Sequence, residues 1–297
     1  MTKKKEKNKK VNCREKLESS FECLLEEIKQ GKSEKLIEYL KTTSRFHKYS
    51  FSNQILIAAQ KPDATRVAGF KKWNQLGYVV KKGSKAIKIL APTTKKKKVK
   101  VKEKDEKGGE IEREEEIKRT YFVSVSVFDK SQVKYVGEGE EPIKDFFQEL
   151  GDDYKENYEI LKEKIEAEGI VVVEEELGAT QGASYNGKIS INKEVDYNNK
   201  FLTLIHELTH ELLHWENKKE QPSKQVIEMQ AEAVSYVVGQ YLGIDNPYSS
   251  DYIQCFGNTV EELKEHLQVI MKASRRIIEI FEGETSKNKE VAVAKAS

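Results

Sequence analysis

The chain has 297 residues, 37% of them hydrophobic and 34% charged, with a formal net charge of +2, which fits about two soluble domains, each large enough for its own core. No apolar run approaches the roughly 20 residues of a membrane helix, the basic opening MTKKKEKNKK lacks the apolar centre of a secretory signal, and Cys13, Cys23 and Cys255 have no CxxC spacing. Membrane association, a disulfide framework and a thiolate zinc site are therefore not indicated, and a cytoplasmic protein is expected.

The near-neutral total hides a division. Residues 1–100 carry 27 Lys+Arg against 9 Asp+Glu, whereas the rest of the chain carries 25 against 41. Such asymmetry is expected where one half meets a polyanion. Residues 1–14 read as a disordered basic arm. Helical periodicity follows at 15–30, with Leu17, Phe21, Leu24, Leu25 and Ile28 on one face, and at 33–43, where Ser33 is a candidate N-cap. From Arg45 to Lys100 there are 15 basic residues and one acid, Asp63, interleaved with Phe46, Tyr49, Phe51, Phe70, Trp73 and Tyr78. Cations that meet phosphates and rings that stack on bases make this a candidate surface for single-stranded DNA. Lys71, Lys72, Trp73, Lys81, Lys82, Lys85 and Lys88 are the residues expected to touch it. Trp73 also falls on helical spacing with Phe70 and Leu76, so core packing competes for it.

Within that stretch a helix is expected from Ser50 or Ser52 through Gln60, ended by Pro62. A short helix at 69–76 is stopped by Gly77, and strands are expected at 78–80 and 86–90. Residues 93–118, a lysine run, then GG, then EIEREEEIK, read either as a charged hairpin or as a disordered insertion. A strand at 121–128 and a turn at FDKSQ precede a linker at 137–142.

The second half begins with a helix at 143–169 and strands at 170–173 and 188–192, then reaches FLTLIHELTHELLHW at 201–215. On a helix of 3.6 residues per turn, His206 and His210 stack on one face with Glu207 beside them, the HExxH pattern of zinc hydrolases. Two neutral imidazoles can hold one Zn²⁺ while the carboxylate serves as general base, and Leu204, Ile205, Leu208, Leu212 and Leu213 would bury the helix back. His214 continues the series one turn on and reads as a residue behind the ligands or on the surface, with a substitute ligand as the alternative. The next amphipathic segment, KQVIEMQAEAVSYVVGQYLG, places Glu228 and Glu232 four apart; either could complete a His₂Glu site. The order Glu-x-x-Ala-acid favours Glu228 as ligand, with Glu232 orienting a ligand histidine. A closing helix at 261–281 and a disordered tail at 283–297 end the chain.

YSFSNQILIAAQKPDATRVAGFKKWNQLGYVVKKGSKAIKILAP, together with VSVFDKSQ, resembles the N-terminal single-stranded-DNA-binding domain of ArdC-type antirestriction proteins. HELTHELLH with EMQAEAVSYVV is similar to their C-terminal metallopeptidase-like domain and to the ImmA/IrrE peptidases. The resemblance implies an α+β protein: a mixed α/β DNA-binding domain at 15–136, then a mainly helical zincin-like domain with a small sheet at 143–282. It also implies a protein of a mobile genetic element that binds incoming single strands, with a protein substrate for its second domain. By matched motif it assigns Zn²⁺ to His206, His210 and Glu228 and the catalytic role to Glu207.

Overall fold

The computed structural model describes residues 12–104, 110–142, 154–215, 222–244 and 250–283. The expected tail, most of the basic arm, residues 143–153 of the expected long helix and the tip of the charged segment lie outside them. The first half contains α1 (Cys13–Lys29), α2 (Glu34–Arg45), α3 (Phe51–Gln60), β1 (Val67–Gly69), α4 (Phe70–Gln75), β2 (Tyr78–Val80), β3 (Ile87–Lys104), β4 (Glu110–Asp129) and β5 (Val133–Tyr135). The second contains α5 (Tyr154–Ala167), β6 (Val171–Glu175), β7 (Gly182–Ser184), β8 (Lys188–Asn192), α6 (Tyr197–Leu213), α7 (Lys224–Tyr241) and α8 (Val260–Glu282). The fold is of the α+β class, as the resemblance implies. α1 starts two residues earlier than the periodicity gave, because Asn12 and Glu15 form a capping box over its first turn.

Strands β1, β4 and β3 make one antiparallel sheet in the order β1-β4-β3, while β2 pairs with β5. Of the two readings of 93–118, the described residues show the hairpin. β3 and β4 stay in register from Ile87 opposite Val127 out to Lys104 opposite Glu110, which sets Lys98, Lys100 and Lys102 across from Glu116, Glu114 and Glu112. Lys96 closes an exposed ion pair with Glu116 at 3.0 Å. The backbone edge of β3 is met by α3. Asn53 donates to the Leu90 carbonyl at 2.9 Å and accepts from its amide at 2.8 Å, and Gln60 does the same for Lys88 at 2.9 and 3.1 Å. Two amide side chains thus replace a neighbouring strand, covering an edge that would otherwise invite pairing.

The other signature residues of the first half are scaffold as well. Asp129, 1% exposed, accepts from the amides of Thr65, Arg66 and Ser131 and from the Ser131 hydroxyl. Gln132 accepts from the Asp129 amide and donates to the Lys85 carbonyl. These bonds tie the loops before β1 and after β4 together.

In the second half, β6 and β8 are parallel and β7 lies antiparallel on the free side of β8, giving the order β6-β8-β7. β7, which lies between the two strands that the sequence pattern predicts, is a three-residue edge strand that leads into the Tyr185–Gly187 turn. α5, α6, α7 and α8 bury their apolar faces together, and α1, α2 and α3 join the same buried cluster through Phe21, Leu24, Leu40, Phe51 and Ile55. The expected division at 137–142 therefore follows chain order, whereas the largest core draws on both sides of it. Among the described residues, no helix is long and apolar enough to cross a membrane.

Candidate metal centre and basic groove

α6 begins at Asp196, whose carboxylate accepts from the Asn199 amide at 3.1 Å. Phe201, Leu204, Ile205 and Leu208 are fully buried, which leaves the opposite face to present histidines toward α7. Leu212 and Leu213, placed by the sequence on the same stripe, are only partly buried. α7 is capped by Ser223 and packs with Ala231, Ala233 and Val234 buried, small residues that let the two helices approach.

Between them, His206 Nε2 and His210 Nε2 stand 3.1 Å apart, and Glu228 Oε2 lies 3.4 Å from the first and 3.8 Å from the second. One ligand atom from each of these three residues falls within 4.8 Å of the others. Glu232 stands on the far side of His206, its Oε1 3.6 Å from Nδ1. The structure thus brings together His206, His210 and Glu228, and sets Glu232 behind the ring rather than at the convergence point. Two imidazole nitrogens and one carboxylate oxygen around an open position are the donor set of catalytic divalent-metal sites, so the residues present fit a metal such as Zn²⁺.

The electrostatics belong to a shielded site. Burial raises the Glu207 carboxyl to about 7, against the opposing pull of His206. Burial pulls His206 down, but its hydrogen bond to Glu228 and the nearby Glu232 and Glu207 outweigh it, so His206 is raised and Glu228 lowered. His210 is depressed to about 4 by burial and by the neighbouring His206. The pair thus favours its charged forms, and a divalent cation held there would supply the positive charge these carboxylates attract.

β7 runs directly over this centre. A Cβ at Gly182 would lie 2.5 Å from Thr203 Cγ2 and 2.9 Å from Glu207 Cγ, so only glycine lets the strand pass this close to Glu207. The following turn is held by Glu211, which accepts from the Ser184 hydroxyl and from the amides of Tyr185, Asn186 and Gly187. Depressions of about 290 and 390 Å³ open on the two sides of Glu207. The first is bordered by Trp215, Ile227 and Glu228, the second by Asn199, Thr203 and Glu232. The sequence reading missed Gly182 and Glu211. The only signal for the latter was a second glutamate directly after the motif.

The first half presents a separate feature. Lys71, Lys72, Lys81, Lys82, Lys85 and Lys88 are exposed, with Lys81 bonded to the Ser131 carbonyl and Lys88 to the Ser126 hydroxyl. Trp73 does not join them. It is 0% exposed and its indole N–H donates to the Phe128 carbonyl at 2.8 Å, so its aromatic face belongs to the core and cannot receive a base. Among the described residues of this half, Phe70, Tyr121 and Phe122 are exposed rings, at 52%, 44% and 61%. Arg45, Lys48, Tyr49 and Arg66 border a depression of about 380 Å³, into which Glu282 also reaches, paired with Lys48 at 3.1 Å. It is continued by one of about 540 Å³ that shares Tyr49 and Arg66 and adds Lys72. Arg45, Tyr49 and Arg66 belong to the same basic and aromatic stretch as the lysines.

Residues 15–128 match the family described as the N-terminal domain of anti-restriction factor ArdC, and residues 165–278 match the peptidase family described as the IrrE N-terminal-like domain. An uncharacterized Bacillus anthracis protein, pXO2-81, is 29% identical over 273 residues, which cover 80% of this chain and 46% of that protein. This chain therefore spans about half the length of the curated relative it matches. Two crystal structures of the antirestriction ArdC protein from the R388 plasmid share the fold. The metal-free one has a TM-score of 0.52 at 16% identity, covering 90% of this chain and 98% of that one. The Mn(II)-bound one has a TM-score of 0.53 at 13% identity, covering 90% and 97%.

Proposed function

This chain joins an N-terminal domain of the ArdC antirestriction type to an IrrE-like peptidase-family domain, and from that union we propose a cytoplasmic single-stranded-DNA-binding antirestriction protein of a mobile element whose second domain is a zinc-dependent peptidase. The observation that carries the peptidase half is the convergence of His206, His210 and Glu228 beside a buried Glu207. When bound, the divalent metal would supply the charge that polarises a peptide carbonyl and acidifies water. His206 and His210 would offer their bare Nε2 atoms and Glu228 its Oε2. Glu232 would accept from the Nδ1–H of His206 and fix that ring. Glu207, enclosed and one helical position from His206, would take the proton of the attacking water on its carboxylate and return it to the leaving amine. An extended peptide would be oriented by pairing with the outer edge of β7, where residues 182 and 184 alternate away from β8.

For the DNA half, the supporting observation is the pair of depressions that share Tyr49 and Arg66 and are bordered by Arg45 on one side and Lys72 on the other. Phosphates would meet the cations, and the exposed rings of Phe70 and Phe122 offer stacking faces. The double variant Arg66→Glu, Lys72→Glu is expected to weaken binding of a labelled single-stranded oligonucleotide and to flatten its salt dependence by about 0.7 in log–log slope for each phosphate no longer neutralised. Anisotropy titrations across a salt series measure this directly. An unchanged slope removes the groove from the DNA interface. The second domain would act on a regulatory or restriction protein brought near by the first.

A further inference from the structure

The histidine row of α6 does not end at the metal ligands. His210 Nδ1 stands 3.0 Å from His214 Nδ1, His214 Nε2 stands 3.0 Å from Gln230 Oε1 on α7, and Gln230 Nε2 stands 3.3 Å from His266 Nδ1 on α8. His214 and Gln230 are 7% and 4% exposed, so these bonds are made away from water.

Each link in such a chain needs one donor and one acceptor, and an amide or a neutral imidazole offers one of each at its two ends. Only two proton arrangements satisfy all three links. In the first, His210 carries its proton on Nδ1 and donates to His214, His214 donates from Nε2 to the Gln230 oxygen, and the Gln230 amide nitrogen donates to His266. In the second, every bond is reversed, the Gln230 amide is turned over, and the His210 proton sits on Nε2. That atom is the one facing His206 Nε2 and Glu228 Oε2. A ligand nitrogen must be bare, so the first arrangement permits metal binding and the second forbids it.

We propose that His214, Gln230 and His266 are positioning residues that form a hydrogen-bond relay holding His210 in the tautomer that binds metal, with His266 on α8 as the acceptor at its end. The inference rests on the metal reading of the site but not on any hydrolysis. It also assigns a purpose to Gln230: unlike a carboxylate, an amide can run the relay in either direction, so the group beyond it decides.

The test uses the full chain and Zn²⁺ affinity measured by competition with a chromophoric chelator. His266→Lys presents only donors, which turns the Gln230 oxygen outward and its nitrogen toward His214. It is expected to lower Zn²⁺ affinity by about tenfold or more. His266→Gln can still accept and is expected to keep affinity within about threefold of wild type, an order-of-magnitude margin for an intact second-sphere bond. In His266→Lys, adding Gln230→Glu supplies an acceptor to both neighbours and is expected to restore affinity. Imidazole ¹⁵N shifts of the zinc-loaded protein should show His210 protonated at Nδ1 and His214 at Nε2. Equal affinity in wild type and a folded His266→Lys variant would overturn the relay, as would His214 protonated at Nδ1. A wild-type chain that takes up no divalent ion would sink the metal reading and the relay with it.

Discussion

Replacing Glu207 with Gln is expected to lower peptide-bond hydrolysis by about 10²–10⁴-fold, the usual contribution of a positioned general base. The substitution keeps the shape of a side chain packed under Gly182 and 8% exposed, but removes the only function asked of it, reversible proton uptake. Zn²⁺ uptake should be unchanged because Glu207 is not among the three converging ligands. Binding of single strands should also be unchanged, since the basic groove is formed by other residues. The measurement is cleavage of a fluorescent casein probe by wild type and variant at equal metal loading. Protection of incoming DNA, measured alongside, distinguishes the two ways the domains could cooperate. Loss of protection in Glu207→Gln ties antirestriction to hydrolysis, whereas full protection without cleavage assigns it to occlusion of the strand.

The largest effect on stability is expected at Asp129, far from either site. Its carboxylate is 1% exposed and serves three backbone amides and a hydroxyl. Asp129→Ala removes the buried acceptor that those amides share, and hydrogen bonds to a charged group contribute about 1.5–3 kcal/mol each. The losses overlap, so a net cost of about 3–5 kcal/mol is expected, as for other broken buried polar networks. Chemical denaturation with far-ultraviolet circular dichroism measures it. A variant within about 1 kcal/mol of wild type, on the scale of an ordinary surface substitution, would mean the loops before β1 and after β4 are held by something other than this carboxylate.

Asp129 also shows what the sequence made legible and what it did not. The pieces NQxLIxxQ, GFxxW and VFDxSQ carry the family resemblance, and they were legible as a pattern long before they were legible as structure. Their polar members bond to backbone: Asn53 and Gln60 to β3, Trp73 to Phe128, and Asp129 to the loop before β1. Which backbone groups they reach depends on tertiary placement, and no local periodicity reports it. Trp73 was misplaced among the DNA-binding residues for the same reason. A tryptophan in a lysine-rich stretch looks like a stacking platform until the carbonyl that takes its N–H is located.

The metal centre was more readable because its logic is local. Spacing of four on a helix places His206 and His210 by geometry alone, and the alanines of α7 signalled the close helix packing that brings Glu228 to them. Gly182, Glu211 and the extension through Gln230 to His266 were not readable, since each joins elements remote in sequence. The edge strand β7 was invisible because three residues carry too little pattern to be told from a loop.

The central claim is that His206, His210 and Glu228 hold a single divalent ion. Metal stoichiometry by native mass spectrometry tests it most directly, on wild type and on His210→Ala, each equilibrated with Zn²⁺ and then separated from free metal. One ion per wild-type chain and none on the folded variant are expected. Equal retention by both, or no retention by wild type, would contradict it.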